Sequence, residues 1–338
     1  MKFLRLALLV AVSMCLMVAC VEEEQYSDNP QGNFDALWNI VDEKYCFFPE
    51  KEAEGLDWDE IYDYYGSFVS DDMTDEQLFE LCGNMLRELE DGHVNLSSSF
   101  NTARYWDWFE DYATNFDDSL QQLYLGTDYR LTAGIKYIIL SDNIGYMYCE
   151  SFDYSFGSGN LSSIMSYFAL CDGLIVDIRS NEGGMLTSAT DLAGCFTNDE
   201  IIGGYISHKT GTGHYDFSAP AEITIEPAEG LRWQKPVVVL TNRRSYSAAN
   251  AFVAFMQACG ATIVGDKTGG GAGLPFKSEL PNGWTLRLSV SPLYNSEKES
   301  IEDGIEPDVR ADIGATDREE GIDSMIEVAR AVLADSIS

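Results

Sequence analysis

Basic residues and histidines are scarce in this chain. Among 338 residues, 21 are Lys or Arg against 56 Asp or Glu, a formal net charge of −35. A nucleic-acid binder needs a cationic face that displaces counterions from phosphates, and adsorption to anionic lipid needs one too. The composition argues against both and says nothing about fold. Only three histidines occur, His93, His208 and His214, so any mechanism with an imidazole base draws on these. No two cysteines stand in a Cys-x-x-Cys pair, which removes the common zinc spacing. His208 and His214, in Ser207-His-Lys-Thr-Gly-Thr-Gly-His214, have no third ligand nearby and read as a loop or hairpin. No metal or cofactor is implied. Repeats and low-complexity tracts are also missing.

What is present is a globular mix, 45% hydrophobic and 23% charged, able to bury a sizeable core. The first segment reads as a leader. Lys2 and Arg5 precede Leu6 to Ala19, 14 residues without a charge. That is too short for a spanning helix of about 20 residues and suits a signal-peptide core. It ends Met17-Val18-Ala19-Cys20, which resembles a bacterial lipobox. The expectation is a signal peptide over 1–19, a lipid on Cys20 and a polar tether over 20–32. Lipid alone then attaches the protein to a membrane of the cell envelope. Glu22-Glu23-Glu24 resembles the acidic tags of surface-exposed lipoproteins, which places it at the outer membrane. With Cys15 in the leader and Cys20 lipidated, Cys46, Cys82, Cys149, Cys171, Cys195 and Cys259 remain, mostly in apolar runs that read as buried thiols.

Helical periodicity governs 33–100. Phe34, Leu37, Trp38, Ile40 and Val41 share one face, as do Trp58, Ile61, Tyr62 and Tyr65. Thr74 with Gln77 three residues on forms a capping box for a helix whose apolar face is Leu78, Leu81, Met85 and Leu89, and Gly92 is expected to close it as a left-handed cap. Residues 101–130 read as a connector without assigned elements. From 131 to 315, short strands alternate with helices. Tyr137–Leu140, Ile144–Tyr148, Leu174–Ile178, Val237–Leu240, Thr262–Val264 and Trp284–Val290 are the strand runs, and Thr187–Phe196 and Ala248–Cys259 are helical. The alternation predicts an α/β core with at least partly parallel pairing. A last helix lies within 316–338.

Five segments carry candidate chemistry. In Thr241-Asn-Arg-Arg-Ser-Tyr-Ser247-Ala-Ala-Asn250, a buried strand turns sharply into a small-residue helix. Ser247 at the helix start has N–H groups beside it, as a nucleophile with an oxyanion site would; as a plain N-cap it would need no catalytic role. Asp177-Ile-Arg-Ser-Asn-Glu-Gly183-Gly184 ends another strand in glycines that admit close backbone approach. Leu89-Glu-Asp-Gly-His93-Val places a histidine just after a helix. Gly265-Asp-Lys-Thr-Gly269-Gly270-Gly271 lacks P-loop spacing and reads as a substrate-lining loop. Glu302-Asp-Gly-Ile-Glu-Pro-Asp308 offers a carboxylate that could orient a histidine.

The order and wording of these five segments resemble the serine peptidase family that contains the tail-specific (C-terminal processing) proteases, the tricorn core protease and interphotoreceptor retinoid-binding protein. The resemblance covers roughly 33–313. It implies a core like crotonase or Clp protease behind an N-terminal helical region, and a peptide or protein substrate. Ser247 matches the family nucleophile. The tail-specific branch takes its base from a Lys in the glycine loop, where this chain has Gly271. The tricorn-like branch uses a His before the core and a Glu near its end, which His93 and Glu302 match. Gly184 or Gly183, with Ala248, would supply the oxyanion donors. Gly92 stands where that branch has Ser, and Asn250 where tail-specific members have Glu. Only about 40 residues separate His93 from the core strands, about half the length of a PDZ domain. The expected reading is a Ser247–His93–Glu302 peptidase. The alternatives are a Ser–Lys dyad using Lys267 and a ligand-binding protein without catalysis.

Overall fold

The computed structural model describes residues 26–337; the expected leader, Cys20 and Glu22–Glu24 lie outside them. α1 (Pro30–Lys44) starts at Asn29, whose side chain accepts the Gly32 N–H, and buries Phe34, Leu37 and Val41. α2 (Phe48–Ala53) and α3 (Trp58–Gly66) follow, then α4 (Asp75–Arg87), opened by the Thr74–Gln77 capping box. α4 stops at Arg87, and the left-handed residue after it is Glu90 (φ 48°) rather than the expected Gly92.

β1 (Asn95–Ser97) and β2 (Thr102–Ala103) lie next, within or just past the span expected to be helical. The expected connector holds α5 (Asp107–Glu110) and α6 (Asp118–Leu125), which lead into β3 (Arg130–Thr132), β4 (Ile135–Ile139) and β5 (Ile144–Cys149). The alternating part continues with α7 (Ser158–Phe168), β6 (Gly173–Asp177), α8 (Leu186–Ala193), β7 (Ile201–Ile206), β8 (Ala221–Ile225), β9 (Val237–Thr241), α9 (Ala248–Ala258) and β10 (Thr262–Gly265). It ends with β11 (Gly273–Glu279), β12 (Thr285–Asn295), β13 (Val309–Arg310), α10 (Ala315–Glu319) and α11 (Ser324–Ile337).

Two sheets organise these elements. The larger runs β13-β10-β9-β6-β5-β4-β3, parallel from β13 to β5 and antiparallel beyond. β5, β6 and β9 are buried at every residue, which is why they read as unbroken apolar runs. The smaller runs β2-β1-β12-β7-β8, with β11 also on β12. β1 pairs antiparallel with β12, Asn95 opposite Arg287, so the segment just after His93 belongs to the core. β7, β8 and β11 were not legible. Gly203 and Gly204 interrupt β7 as a turn would, yet a Cβ at Gly203 would strike Ile225 and Phe255, so the glycine there permits close packing. In β11 most residues are exposed and Pro275 marks a register shift.

The fully buried Arg179 ties the ends together: its guanidinium reaches Asp177 at 2.6 Å and Asp323, before α11, at 2.9 Å. The loops after β6 and β9, which carry Gly183–Gly184 and Ser247, therefore leave the carboxyl ends of neighbouring parallel strands, where open α/β sheets bind ligands.

Candidate active site

Ser247 stands at the N-cap position just before α9, with φ 58° and ψ −121°, and its side chain makes no capping hydrogen bond. A residue with a Cβ at positive φ is strained by about 1–3 kcal/mol. The strain is held from both sides: Tyr246 N–H donates to Asn181 O (3.0 Å) and Ser247 N–H to Gly270 O (2.8 Å). The cap that the local sequence allowed is thus not formed, and the hydroxyl points elsewhere. It lies 3.0 Å from Nε2 of His93.

His93 is 2% exposed. Asp91 fixes it through the backbone: Oδ1 accepts the His93 N–H at 2.7 Å, while Oδ2 accepts the hydroxyl of Ser289, on β12, at 2.8 Å. Arg287, also on β12, donates to the His93 carbonyl at 3.4 Å. Sequence reasoning gave Asp91 no role. The signal was there, since Asp-x-His lets an aspartate accept from the amide two residues on. Burial pushes the imidazole down to about 4, with Asp91 opposing and Arg287 adding to the shift.

Nδ1 of His93 has no partner among the described residues. Glu302, expected to orient the ring directly or through another group, turns to the glycine loop. Its Oε2 accepts the Ala272 N–H and its carbonyl accepts the Gly271 N–H. No hydrogen bond joins it to His93 among the described residues. Burial, with Asp91 nearby, holds the Glu302 carboxyl well above its ordinary range. Of the expected set, the direct Glu302–His93 contact is therefore absent among the described residues, and the Ser247–His93 contact is present.

The glycines divide by task. Gly183 N–H is taken by Asn181 Oδ1 at 2.9 Å. A Cβ there would lie 2.8 Å from Ser247 Cβ, so Gly183 allows the two loops to meet. Gly184 N–H and Ala248 N–H have no acceptor among the described residues, and both residues line the cleft. In the glycine loop, only Gly271 lines it. Gly269 packs under Trp108 and the Arg243 carbonyl, and Gly270 against the Glu302 carbonyl; neither faces substrate space. Lys267 lies 3.6 Å from Glu306 and is not among the cleft residues, so the structure gives it no contact with Ser247.

The unassigned connector supplies the roof. Trp108 stacks on Tyr246 with ring centroids 4.0 Å apart, and Tyr246 lies 4.9 Å from the His93 ring. A Cβ at Gly92 would fall 2.6 Å from Trp108 Nε1 and 2.8 Å from the Tyr246 hydroxyl. The aromatic pair fills the place a serine side chain would need, which gives Gly92 its physical reason. His214 stands away from this site. It stacks on Phe48 at 4.0 Å and bonds Asp42 and Glu52, fastening the 208–218 hairpin to α1 and α2. The six cysteines form no disulfide among the described residues, and burial raises their thiols, Cys149 to about 12. No helix among them is long and apolar enough to cross a membrane.

The cleft between these elements encloses about 840 Å³. Comparison with known proteins adds the following. The peptidase family S41 model matches residues 143–311, and the tricorn protease C1 domain model matches 26–87. A crystal structure of a candidate peptidase from Parabacteroides merdae is 46% identical, with 91% of this chain and 97% of that one covered and a TM-score of 0.86. The carboxyl-terminal-processing protease of Synechocystis is 30% identical over 139 residues, 40% of this chain and 30% of that protein's length. Mature CPAF complexed with lactacystin shares the fold at 13% identity, with 90% of this chain and 97% of that one covered and a TM-score of 0.68. The chain belongs to peptidase family S41.

Proposed function

We propose that the protein hydrolyses peptide bonds in a peptide or protein substrate through an acyl-enzyme on Ser247. The observation that carries this reading is the 3.0 Å approach of His93 Nε2 to a serine hydroxyl on a strained turn. His93 takes the Ser247 proton as Oγ attacks the scissile carbonyl, then returns it to the leaving amine. The developing oxyanion is received by the N–H groups of Gly184 and Ala248, which have no competing acceptor. Asp91 is a positioning residue that holds the His93 backbone. Glu302 completes the set at one remove: it sits in the same buried acidic cluster and braces Gly271–Ala272, where Gly271 lies against the Tyr246 ring.

Two supports stand apart from the geometry. The family match spans 143–311, which includes Gly184, Ser247 and Glu302, and the relative from Synechocystis is a processing protease. The interval 94–135, where a PDZ module would be inserted, folds instead as three short strands and two short helices, with Trp108 stacked on Tyr246 at the site, so selection of substrate falls to the cleft itself. A Lys267 dyad is disfavoured by the Lys267–Glu306 contact. Ligand binding without catalysis would leave the strain at Ser247 without use.

The site would work at the cell envelope, held by a lipid on Cys20; labelling of the full chain with a palmitate analogue, lost in Cys20→Ala, tests this. The activity is tested with a fluorophosphonate probe. Labelling should map to Ser247 and vanish in Ser247→Ala; a full-length, folded protein that takes no label and cleaves no peptide of a broad library overturns the hydrolytic reading.

A further inference from the structure

One wall of the cleft is cationic in a chain with 35 surplus negative charges. Arg287 on β12 lies directly opposite Asn95 on β1 and opposite Lys277 on β11. Residues paired across strands point to one face, and all three line the cleft, as does Arg104 just past β2. None of Arg104, Lys277 and Arg287 is ion-paired with a carboxylate among the described residues, although other Arg and Lys side chains are. Like charges directly opposite each other destabilise a sheet. Lys277 and Arg287 are such a pair, and the half-buried Arg287 makes its one hydrogen bond among the described residues to the carbonyl of His93. An acidic protein has carboxylates to spare for this row, yet only the buried Asp91, behind Arg287, acts on it, and none pairs with Lys277 or Arg104 among the described residues. Two of them, Asp153 and Glu182, line the cleft on the Gly184 side instead.

We propose that the Arg287–Lys277 row, extended by Arg104, is a subsite for acidic side chains of the substrate, so that the cleft selects segments rich in Asp or Glu. Asp153 repels such side chains from the opposite wall, where Glu182 is already paired with Arg244, and so fixes which side of the scissile bond they occupy. The inference rests on the hydrolytic reading only for its use in catalysis. The binding itself needs no turnover.

The test uses the full chain carrying Ser247→Ala and fluorescein-labelled decapeptides, Ala–Glu alternating and Ala–Gln alternating, each with a free or an amidated C-terminus. Charge-assisted hydrogen bonds outweigh neutral ones enough to give tenfold or more in affinity. The Glu peptide should bind at least tenfold more tightly than the Gln peptide by anisotropy, with or without the C-terminal amide, and the preference should shrink as salt rises. Lys277→Glu should remove it and Lys277→Arg should keep it. Lys277 is exposed on β11, and a thermal melt checks that each variant folds. Equal binding of Glu and Gln peptides, or a preference that follows the C-terminal carboxylate alone, overturns the proposal. Failure of Ser247 to take a fluorophosphonate label would overturn hydrolysis and leave this binding preference intact.

Discussion

The imidazole of His93 and the hydroxyl of Ser247 meet at 3.0 Å across 154 positions of sequence. One arrives on the turn after α4 and the other on the turn after β9. The contact depends on the seam between the helical region and the sheet. That seam is sewn by Asp91 to Ser289 and by β1 to β12.

His93→Ala removes the only base within reach of Ser247 among the described residues. Fluorophosphonate labelling should fall by about 10³ or more, the order seen when a triad member is lost. Lys267→Ala should label at the wild-type rate. The reverse pattern in a timed labelling experiment would return the lysine dyad to consideration.

The pH profile separates the buried imidazole from an ordinary one. A free histidine near 6.5 would give activity rising through pH 6–7.5. Burial brings His93 down to about 4, and a general base works in its neutral form. The acid limb of kcat/KM should therefore move down toward pH 4–5, with a plateau above it, because kcat/KM reports the free enzyme. A limb that stays near 6.5 would mean the imidazole is solvated in the working state.

Glu302 has two possible duties, and two variants part them. Gln keeps an acceptor for Ala272 N–H and discards the charge; Ala discards both. If the residue braces the glycine loop, Glu302→Gln should retain kcat within about tenfold while Glu302→Ala loses 10² or more, the scale of a misplaced catalytic geometry. Equal, deep losses in kcat for both would show that the negative charge itself supports the imidazolium.

The strain at Ser247 is measurable. Ser247→Gly and Ser247→Ala both delete the nucleophile, and only glycine tolerates φ 58° freely. The glycine variant should melt at a higher temperature than the alanine variant, by the equivalent of about 1 kcal/mol. Equal melting temperatures would mean the turn is relaxed.

Local physics made much of this protein readable in one dimension. The capping box at Thr74, the apolar faces of α1 and α4 and the buried parallel strands β5, β6 and β9 follow from periodicity and hydrogen-bond chemistry within a few residues. So do the glycines after β6, because backbone angles that exclude a side chain leave a mark in the residue type, and the sharp turn before α9, because a buried strand there runs straight into a small-residue helix. The order of five such segments carried the resemblance to serine peptidases, and with it the expectation that Ser247 and His93 form the site.

Packing across the chain settled the rest. Whether Ser247 caps its helix or faces His93 depends on Asn181 and Gly270, which lie far from it in sequence. Gly183 and Gly184 look alike as letters, and only the Asn181 side chain takes one amide and leaves the other. Glu302 sits within the acidic cluster yet turns to Ala272, because an amide offers a fixed donor at the spot where its chain passes. Strands such as β7 and β11 escaped notice because their partners, rather than their own composition, hold them extended. The sequence by itself determined which chemical groups were available; only the folded chain decided which of them touch, since contact between distant residues is set by the summed packing of everything between them.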